Sequence, residues 1–188
     1  GVDAAGYSRV TGFGQNLYYH KSNPLKAFEV TDDTNLPGFV IGVDLWSVRD
    51  EKGEYYHSAK PDATALSVTC FPLTAKGALA KAGTDVVNTK TFYFGDSSQS
   101  GLARVDGSII YLPFDEAQAL CGMVEPAKRA SWIHIKFKAG TNIEDGCRQV
   151  RQMWAKFYDE HKGKDNADLL GQVSVRSWKE HRRAPTPG

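Results

Sequence analysis

The sequence has little that would attract a partner by charge alone, and little that would enter a membrane. Lysine and arginine together number 23 and aspartate and glutamate 22, so no net field favours nucleic acid or an anionic membrane. No apolar run approaches the roughly 18 residues that a transmembrane helix needs, and the first residues lack the order of a signal peptide. We therefore expect the chain to be soluble as given.

Cysteine is scarce. The three cysteines, Cys70, Cys121 and Cys147, form no CxxC pair and have no spacing typical of a zinc site. Because each lies among apolar neighbours, we predict buried thiols rather than reactive ones. An odd number cannot be paired entirely within one chain, so the redox state of the three thiols and the redox compartment stay open.

The sequence contains no complete catalytic or cofactor-binding motif. The GFG at residues 12–14 begins like a dinucleotide fingerprint but lacks the third glycine and lies in a predicted helix. The serines of GDSSQSG (95–101) lack the second glycine of a nucleophile elbow, so we predict a solvated hairpin loop there. The histidines form no HxH or HxxxH pair. We predict no catalytic, cofactor-binding or metal-binding residue, no cofactor and no enzymatic activity.

The first two thirds of the chain are predicted to be β-rich behind an N-terminal helix. Apolar residues at helical spacing predict a helix from Asp3 to His20, with Asp3 as its N-cap. A strand near Ile109 leads into a short helix that ends near Gly122. Apolar or β-branched runs predict four strands, at 39–46, 65–73, 86–94 and 109–112. We expect the second and third of these strands to pair.

The last third predicts a strand, a helix and a second strand. Apolar and polar residues alternate in SWIHIKFK (131–138), which is typical of a half-buried strand. An amphipathic helix follows, with a capping box at Thr141 and Glu144 and a stop at Gly163. The second strand is predicted through Val173 and Val175. This order indicates a βαβ unit with parallel strands and a right-handed crossover.

A second capping box, Ser177 with Glu180, begins a helix that has no room to continue before Pro185. We expect this helix to be short and residues 184–188 to form a disordered tail. The chain opens without methionine and closes just after a helix start. We therefore expect it to be an excised piece of a longer protein.

Three segments, in this order, resemble the extracytoplasmic domain of the MacB/LolC/LolE/FtsX group of ABC-transporter permeases. LPGFVIGVDLW (36–46) is similar to the family's PG-x-(I/V)-hydrophobic-G-x-(D/E)-L element. Residues 92–123 are similar to the family stretch in which a strand precedes a helix of the DAQ-x-L type. VSVRSWKEHRR (173–183) is similar to the family's strand that leads into the second transmembrane segment. The resemblance covers residues 1–183.

The resemblance implies an α+β fold. It assigns residues 1–128 to a β-rich, Sabre-like subdomain with the N-terminal helix, and residues 129–183 to a βαβ half of a porter-like α/β subdomain. The first porter half has no counterpart here. We expect its absence to expose apolar surface, through which the isolated piece could form a homodimer.

In such permeases a cytoplasmic ATPase hydrolyses nucleotide, while the extracytoplasmic part transmits conformational change and engages a carrier or adaptor protein. The resemblance therefore implies a non-catalytic domain at the periplasmic face of the bacterial inner membrane, with the permease transmembrane region and ATPase as partners. The lipoprotein-releasing member of the family presents a projecting hairpin to a soluble chaperone, and this hairpin corresponds by element order to the loop Thr74–Asp85. Within it, Lys76, Leu79 and Lys81 are the candidate partner-binding residues.

Two other classes of protein stay open. A stand-alone secreted ligand-binding module would use an aromatic cleft built from Tyr55, Tyr56, Trp132 or Trp154. A hydrolase would use Ser97 or Ser98 of the GDSSQSG segment. The sequence leaves the cargo, the direction of transport, the partner protein and the oligomeric state undetermined.

Overall fold

The computed structural model describes residues 1–29, 35–55, 64–74, 78–79, 87–125, 128–164 and 167–183. The predicted disordered tail at 184–188 lies outside these ranges. The chain divides into two units, Gly1–His134 and Ile135–Gly188, whereas the predicted subdomain boundary lies at residue 128. Helices accompany a four-stranded mixed sheet, so the fold is mixed α/β and compatible with the predicted α+β class.

The first unit holds the sheet and five short helices among its described residues. The helices are α1 (Ala4–Val10), α2 (Phe13–Asn16), α3 (Val43–Trp46), α4 (Ala103–Asp106) and α5 (Phe114–Leu120), with a 3₁₀ turn at Pro24–Ala27. The strands are β1 (Gly38–Gly42), β2 (Ala65–Cys70), β3 (Asn88–Ser98) and β4 (Ile110–Tyr111).

The N-terminal helix is broken where a single helix was predicted. Asp3 is confirmed as its N-cap, since the carboxylate accepts the amide of Ala5 at 3.2 Å. At Thr11 the backbone becomes extended, with φ −111° and ψ 174°. The Thr11 hydroxyl donates to the carbonyl of Tyr7 at 2.8 Å and accepts the amide of Phe13 at 3.2 Å. These local bonds compete with the helical ones, and the chain restarts as α2.

The sheet has the order β2-β3-β1-β4. Strands β2 and β3 are antiparallel, which confirms the predicted pairing, while β1 runs parallel to β3 and antiparallel to β4. The predicted strand at 39–46 was too long, because the chain turns into α3 after Gly42. The last three residues of β1 pair with residues 96–98. This pairing extends β3 beyond its predicted end at residue 94.

The prediction of a solvated loop at GDSSQSG was therefore wrong. Asp96, Ser97 and Ser98 continue β3 and are buried. Their register against β1 shifts after Phe39, which leaves Gly95 as an extra residue in a β-bulge. A Cβ atom at Gly95 would overlap the carbonyl oxygen of Ala27, so this bulge requires glycine.

The core of the first unit consists of two apolar clusters that use alternate residues of β1. The larger cluster comprises Phe39, Ile41, Phe92, Phe94, Leu112 and Leu120. The smaller comprises Phe13, Leu17, Ala27 and Val40. Since consecutive side chains on a strand point to opposite faces, residues 39–41 fill both clusters at once. This explains why all five residues of β1 are buried.

A buried carboxylate joins the segment after α2 to strand β3. Asp96 is inaccessible to solvent, and its Oδ1 accepts the amides of Tyr18 and Tyr19 at 3.0 Å and of Ser97 at 2.7 Å. Its Oδ2 accepts the amide of His20 at 2.8 Å and lies 2.9 Å from the Nδ1 of the same residue. Both oxygens of the buried carboxylate are thus satisfied, mainly by the backbone amides of residues 18–20.

The second unit is built around α6 (Ile143–His161), with α7 (Ala167–Leu170) and α8 (Trp178–Arg183). The N-cap of α6 is Asn142 rather than the predicted Thr141, because the Asn142 side chain accepts the amides of Glu144 (2.9 Å) and Asp145 (3.2 Å). The helix ends at His161, shortly before the predicted stop at Gly163.

The two strands predicted around α6 are not formed. Within 128–164 and 167–183 no residue belongs to a strand, so the predicted βαβ arrangement is absent from the described part of the chain. Of its alternating apolar residues in SWIHIKFK, only Phe137 is partly buried, with its ring near Gly146, whereas Ile133 and Ile135 are exposed. A strand requires a neighbour for its amides and carbonyls, which local alternation alone does not supply.

The predicted capping box at the start of α8 is confirmed. The Ser177 hydroxyl accepts the amide of Glu180 at 3.2 Å, and the Glu180 carboxylate accepts the amide of Ser177 at 2.6 Å. Arg151 of α6 also donates to both carboxylate oxygens of Glu180 at 3.0 Å. The box therefore fastens α8 to α6. Among the described residues, no helix combines the length and the apolar character needed to cross a bilayer.

Replacing the buried carboxylate should destabilise the first unit. In Asp96→Asn one oxygen becomes an amino group that faces backbone donors, and we expect a loss of about 3 kcal/mol in the free energy of unfolding. Urea denaturation measures this change. The control is Asp115→Asn, whose side chain is 85% exposed and should change stability by at most about 0.5 kcal/mol. Equal effects of the two substitutions would contradict the anchoring role of Asp96.

The capping box should be sensitive to acid. The amide of Ser177 is the main cause that lowers the pKa of Glu180 below its ordinary value of 4.5. Because the folded pKa is depressed, the stabilisation is present above pH 4.5 and is lost as the pH falls through the folded pKa. An NMR titration of the Glu180 carboxyl carbon measures this pKa. Arg151→Met should return it only part of the way, and an unshifted Glu180 in the unmodified chain would refute the assignment.

Candidate partner-binding site

The candidate site is the end of the β2–β3 hairpin that lies away from the centre of the sheet. Six residue pairs join the two strands, from Ala65 opposite Tyr93 to Cys70 opposite Asn88. The sheet order leaves β2 at an edge of the described sheet. Such an edge is a place at which another chain can add hydrogen bonds.

The two faces of the hairpin differ in polarity. Leu66 and Val68 pack against the larger core cluster. On the opposite face, Ser67 bonds to Thr91 at 3.1 Å and Thr69 to Thr89 at 2.9 Å. This exposed face is therefore polar along most of its length, as expected for a sheet that contacts the core on one side only.

The polar face ends in exposed apolar side chains. The last pair of the ladder is Cys70 with Asn88. Phe71 comes directly after Cys70 and Val87 directly before Asn88, and their side chains are 61% and 44% exposed. Beyond them, Leu73 forms an antiparallel bridge with Leu79, which is 65% exposed. We call Phe71, Leu79 and Val87 the hairpin patch. A cluster of large exposed apolar side chains is typical of a protein-interaction surface.

The base of the hairpin patch is held firmly by the rest of the first unit. The amide of Leu73 donates to the carbonyl of Cys121 at 3.0 Å, and the guanidinium of Arg129 donates to the carbonyls of Leu73 and Thr74. The Asn88 side chain donates to the carbonyl of Leu120 at 3.0 Å. The patch is therefore presented on a fixed base, which lowers the entropy cost of binding.

Of the three predicted partner-binding residues, only Leu79 lies among the described residues. It is exposed and belongs to the hairpin patch. Lys76 and Lys81 lie outside the described ranges, as does most of the predicted loop Thr74–Asp85. In the part that is described, the amide of Thr74 donates to the carbonyl of Ala78 at 2.7 Å.

Sequence reasoning missed Phe71 and Val87. It assigned Phe71 to the interior of a strand and found no aromatic anchor in this region. A signal was present, because Ser67 and Thr69 mark the polar face by alternation and Phe71 is the next residue with the same parity. A phenylalanine at that position breaks the pattern and indicates exposure.

The aromatic residues of the alternative ligand cleft have separate surroundings. Tyr55 bonds to Asp44 through its hydroxyl at 2.5 Å, and its ring lies 4.6 Å from the guanidinium of Arg49. Trp132 is 71% exposed, and Trp154 packs against Phe157 within α6 at a ring distance of 5.4 Å. Tyr56 lies outside the described residues. A depression of about 430 Å³ in the first unit is lined instead by Val2, Asp3, Ala4, Phe28, Pro113, Phe114 and Asp115.

The serines of the alternative hydrolase do not face solvent. Ser97 and Ser98 are 2% and 1% exposed within β3, and the Ser98 hydroxyl has no hydrogen-bond partner among the described residues. A nucleophile must reach its substrate, which this burial prevents. Among the described residues, no three histidine, cysteine or acidic side chains form a group that could hold a metal ion.

Comparison of the chain with protein-family models, with curated proteins and with solved structures finds no match. The candidate site is therefore defined by the geometry of the hairpin.

The hairpin patch should be dispensable for folding. Phe71 is largely exposed, so Phe71→Ser should change the free energy of unfolding by at most about 0.5 kcal/mol. Phe92, which is fully buried on the same hairpin, is the matched control, and Phe92→Ala should cost about 3–5 kcal/mol. Thermal or urea denaturation compares the two variants. A large loss of stability in Phe71→Ser would instead place that ring in the core.

Proposed function

We propose that this chain is a non-catalytic extracytoplasmic domain of an ABC-transporter permease. It transmits conformational change and docks a carrier or adaptor protein through the hairpin patch. Its place is the periplasmic face of the bacterial inner membrane, with the permease transmembrane region and the cytoplasmic ATPase as further partners. The observation that carries this proposal is the exposed apolar end of the hairpin. By order of elements, it adjoins the loop that we match to the projecting hairpin of the family's lipoprotein-releasing member.

The chemistry of the patch favours a protein as the occupant. Phe71 supplies the aromatic anchor that a binding hot spot commonly has, and Leu79 and Val87 add branched apolar surface. Burying one such side chain is worth about 1.5–3 kcal/mol, so the patch offers enough energy for a reversible complex. In the sequence, Lys76 and Lys81 flank Leu79, and their positive charges favour a partner with an acidic rim around an apolar pocket.

The proposal keeps the predicted assignment of residues 1–128 to a Sabre-like subdomain and of 129–183 to a porter-like half. The unit Gly1–His134 contains the sheet, and the unit Ile135–Gly188 contains the long amphipathic helix α6. In this second unit several apolar side chains are exposed, and in a full permease they are available to neighbouring segments or to a second copy: Ile135, Met153, Phe157 and Val173.

Site-specific photo-crosslinking in the parent permease tests the docking role. A photoreactive phenylalanine analogue at position 71 or 79, introduced in living cells, should crosslink to one and the same water-soluble protein, which mass spectrometry then identifies. The control position is Val48, an 81% exposed apolar residue of the same unit, where the analogue should not trap that protein.

Two results would overturn the proposal. One is equal capture of the same proteins at positions 48, 71 and 79, which would show that exposure alone determines crosslinking. The other is a parent gene without an apolar segment of about 20 residues close to the end of this chain. A large, specific thermal shift with a small molecule would favour the ligand-binding alternative instead.

A further inference from the structure

Cys70 and Cys121 come together although 50 residues separate them in sequence. Cys70 ends β2, and Cys121 is the C-cap of α5. One backbone hydrogen bond and one from the side chain of Asn88 hold these ends side by side. Leu73 donates its amide to the carbonyl of Cys121 at 3.0 Å, and Asn88, the cross-strand partner of Cys70, donates to the carbonyl of Leu120 at 3.0 Å.

The side chains around this junction confirm the close approach. Cys70 packs against the cluster that contains Leu120. On the other side of the junction, a Cβ atom at Gly122 would lie 3.3 Å from the Cβ of Pro72. Burial and the neighbouring Cys121 thiol raise the pKa of the Cys70 thiol. The hydrogen bonds of Leu73 and Asn88 therefore place the two cysteines next to each other.

The pair differs from the third cysteine in solvent exposure. Cys70 and Cys121 are both partly exposed, whereas Cys147 is buried in the second unit. The prediction of three buried thiols was therefore right only for Cys147. Partial exposure lets a small molecule reach the pair, while the surrounding backbone holds the two thiols together.

We propose that Cys70 and Cys121 form a reversible redox pair, which exchanges with a small disulfide of the glutathione class to give an internal disulfide between β2 and α5. The thiolate of one cysteine attacks a sulfur of glutathione disulfide and releases one glutathione thiolate. The second cysteine, as thiolate, attacks the protein sulfur of the mixed disulfide and releases the other. Two protein thiols are oxidised, one glutathione disulfide is reduced to two thiols, and the two cysteine protons pass to glutathione.

The bond would fix the base of the hairpin patch. Phe71 directly follows Cys70, and Leu73 is already bonded to the backbone of Cys121. A disulfide closing a loop of roughly 50 residues restricts mainly the unfolded chain and so stabilises the folded one. An oxidising compartment such as the bacterial periplasm would favour the bonded form. The redox pair stands on its own geometry and is independent of the docking role.

Equilibration in glutathione buffers tests the pair in a Cys147→Ser chain, which retains only these two thiols. As the ratio of disulfide to thiol rises, both free thiols should disappear together, with at most a small fraction of mixed disulfide. After quenching by alkylation, peptide mapping should find a Cys70–Cys121 bond within monomers. The melting temperature should rise by several degrees and return after reduction.

The single-cysteine chains Cys70→Ser/Cys147→Ser and Cys121→Ser/Cys147→Ser are the matched controls. Each should carry at most one glutathione and show no such rise in melting temperature. Persistent free thiols, stable glutathione adducts on both cysteines, or bonds only between chains would overturn the proposal. If Cys147→Ser fails to fold, the unmodified three-cysteine chain is used instead. Peptide mapping identifies the bonding state of each cysteine separately, so it still tests for the Cys70–Cys121 bond.

Discussion

The buried carboxylate of Asp96 is the interaction on which the rest of the first unit depends. It gathers the amides of residues 18–20 onto β3, and it lies next to a bulge that only glycine can form. Without it, the amides of Tyr19 and His20 would lose their carboxylate acceptor. The carboxylate thus connects the N-terminal helices to the sheet, and the sheet in turn supports the β2–β3 hairpin.

In the proposed function, one strand pair serves both stability and binding. Its inner face contributes Phe92 and Phe94 to the core, while its outer face carries paired serines and threonines. Only at its end does the outer face become apolar, where it no longer covers the core. A docking surface at this place costs little stability, because the residues proposed to bind are not those that fold the unit. The proposed thiol pair lies at the junction between these two regions.

Much of the local structure could be predicted from the sequence. Residues whose neighbours in sequence determine their bonds behaved as expected, including the Asp3 cap, the capping box of Ser177 and Glu180 and the long helix α6. Alternation and capping depend on contacts a few residues apart, which a sequence displays directly. The pairing of β2 with β3 was also predicted, from two strand-like runs that follow one another. Of the candidate site, Leu79 was identified through the family resemblance, whereas Phe71 and Val87 were missed.

Tertiary structure alone decided the remainder. GDSSQSG has the composition of a loop, yet it becomes a buried strand because β1 lies beside it and Asp96 finds donors 76 to 78 residues away. SWIHIKFK has the alternation of a strand, yet it forms none among the described residues, because a strand exists only with a partner. Cys70 and Cys121 meet for a similar reason. The sequence by itself determined caps, helices and faces, whereas pairings between distant segments were decided by which backbone and side-chain groups the folded chain brought together.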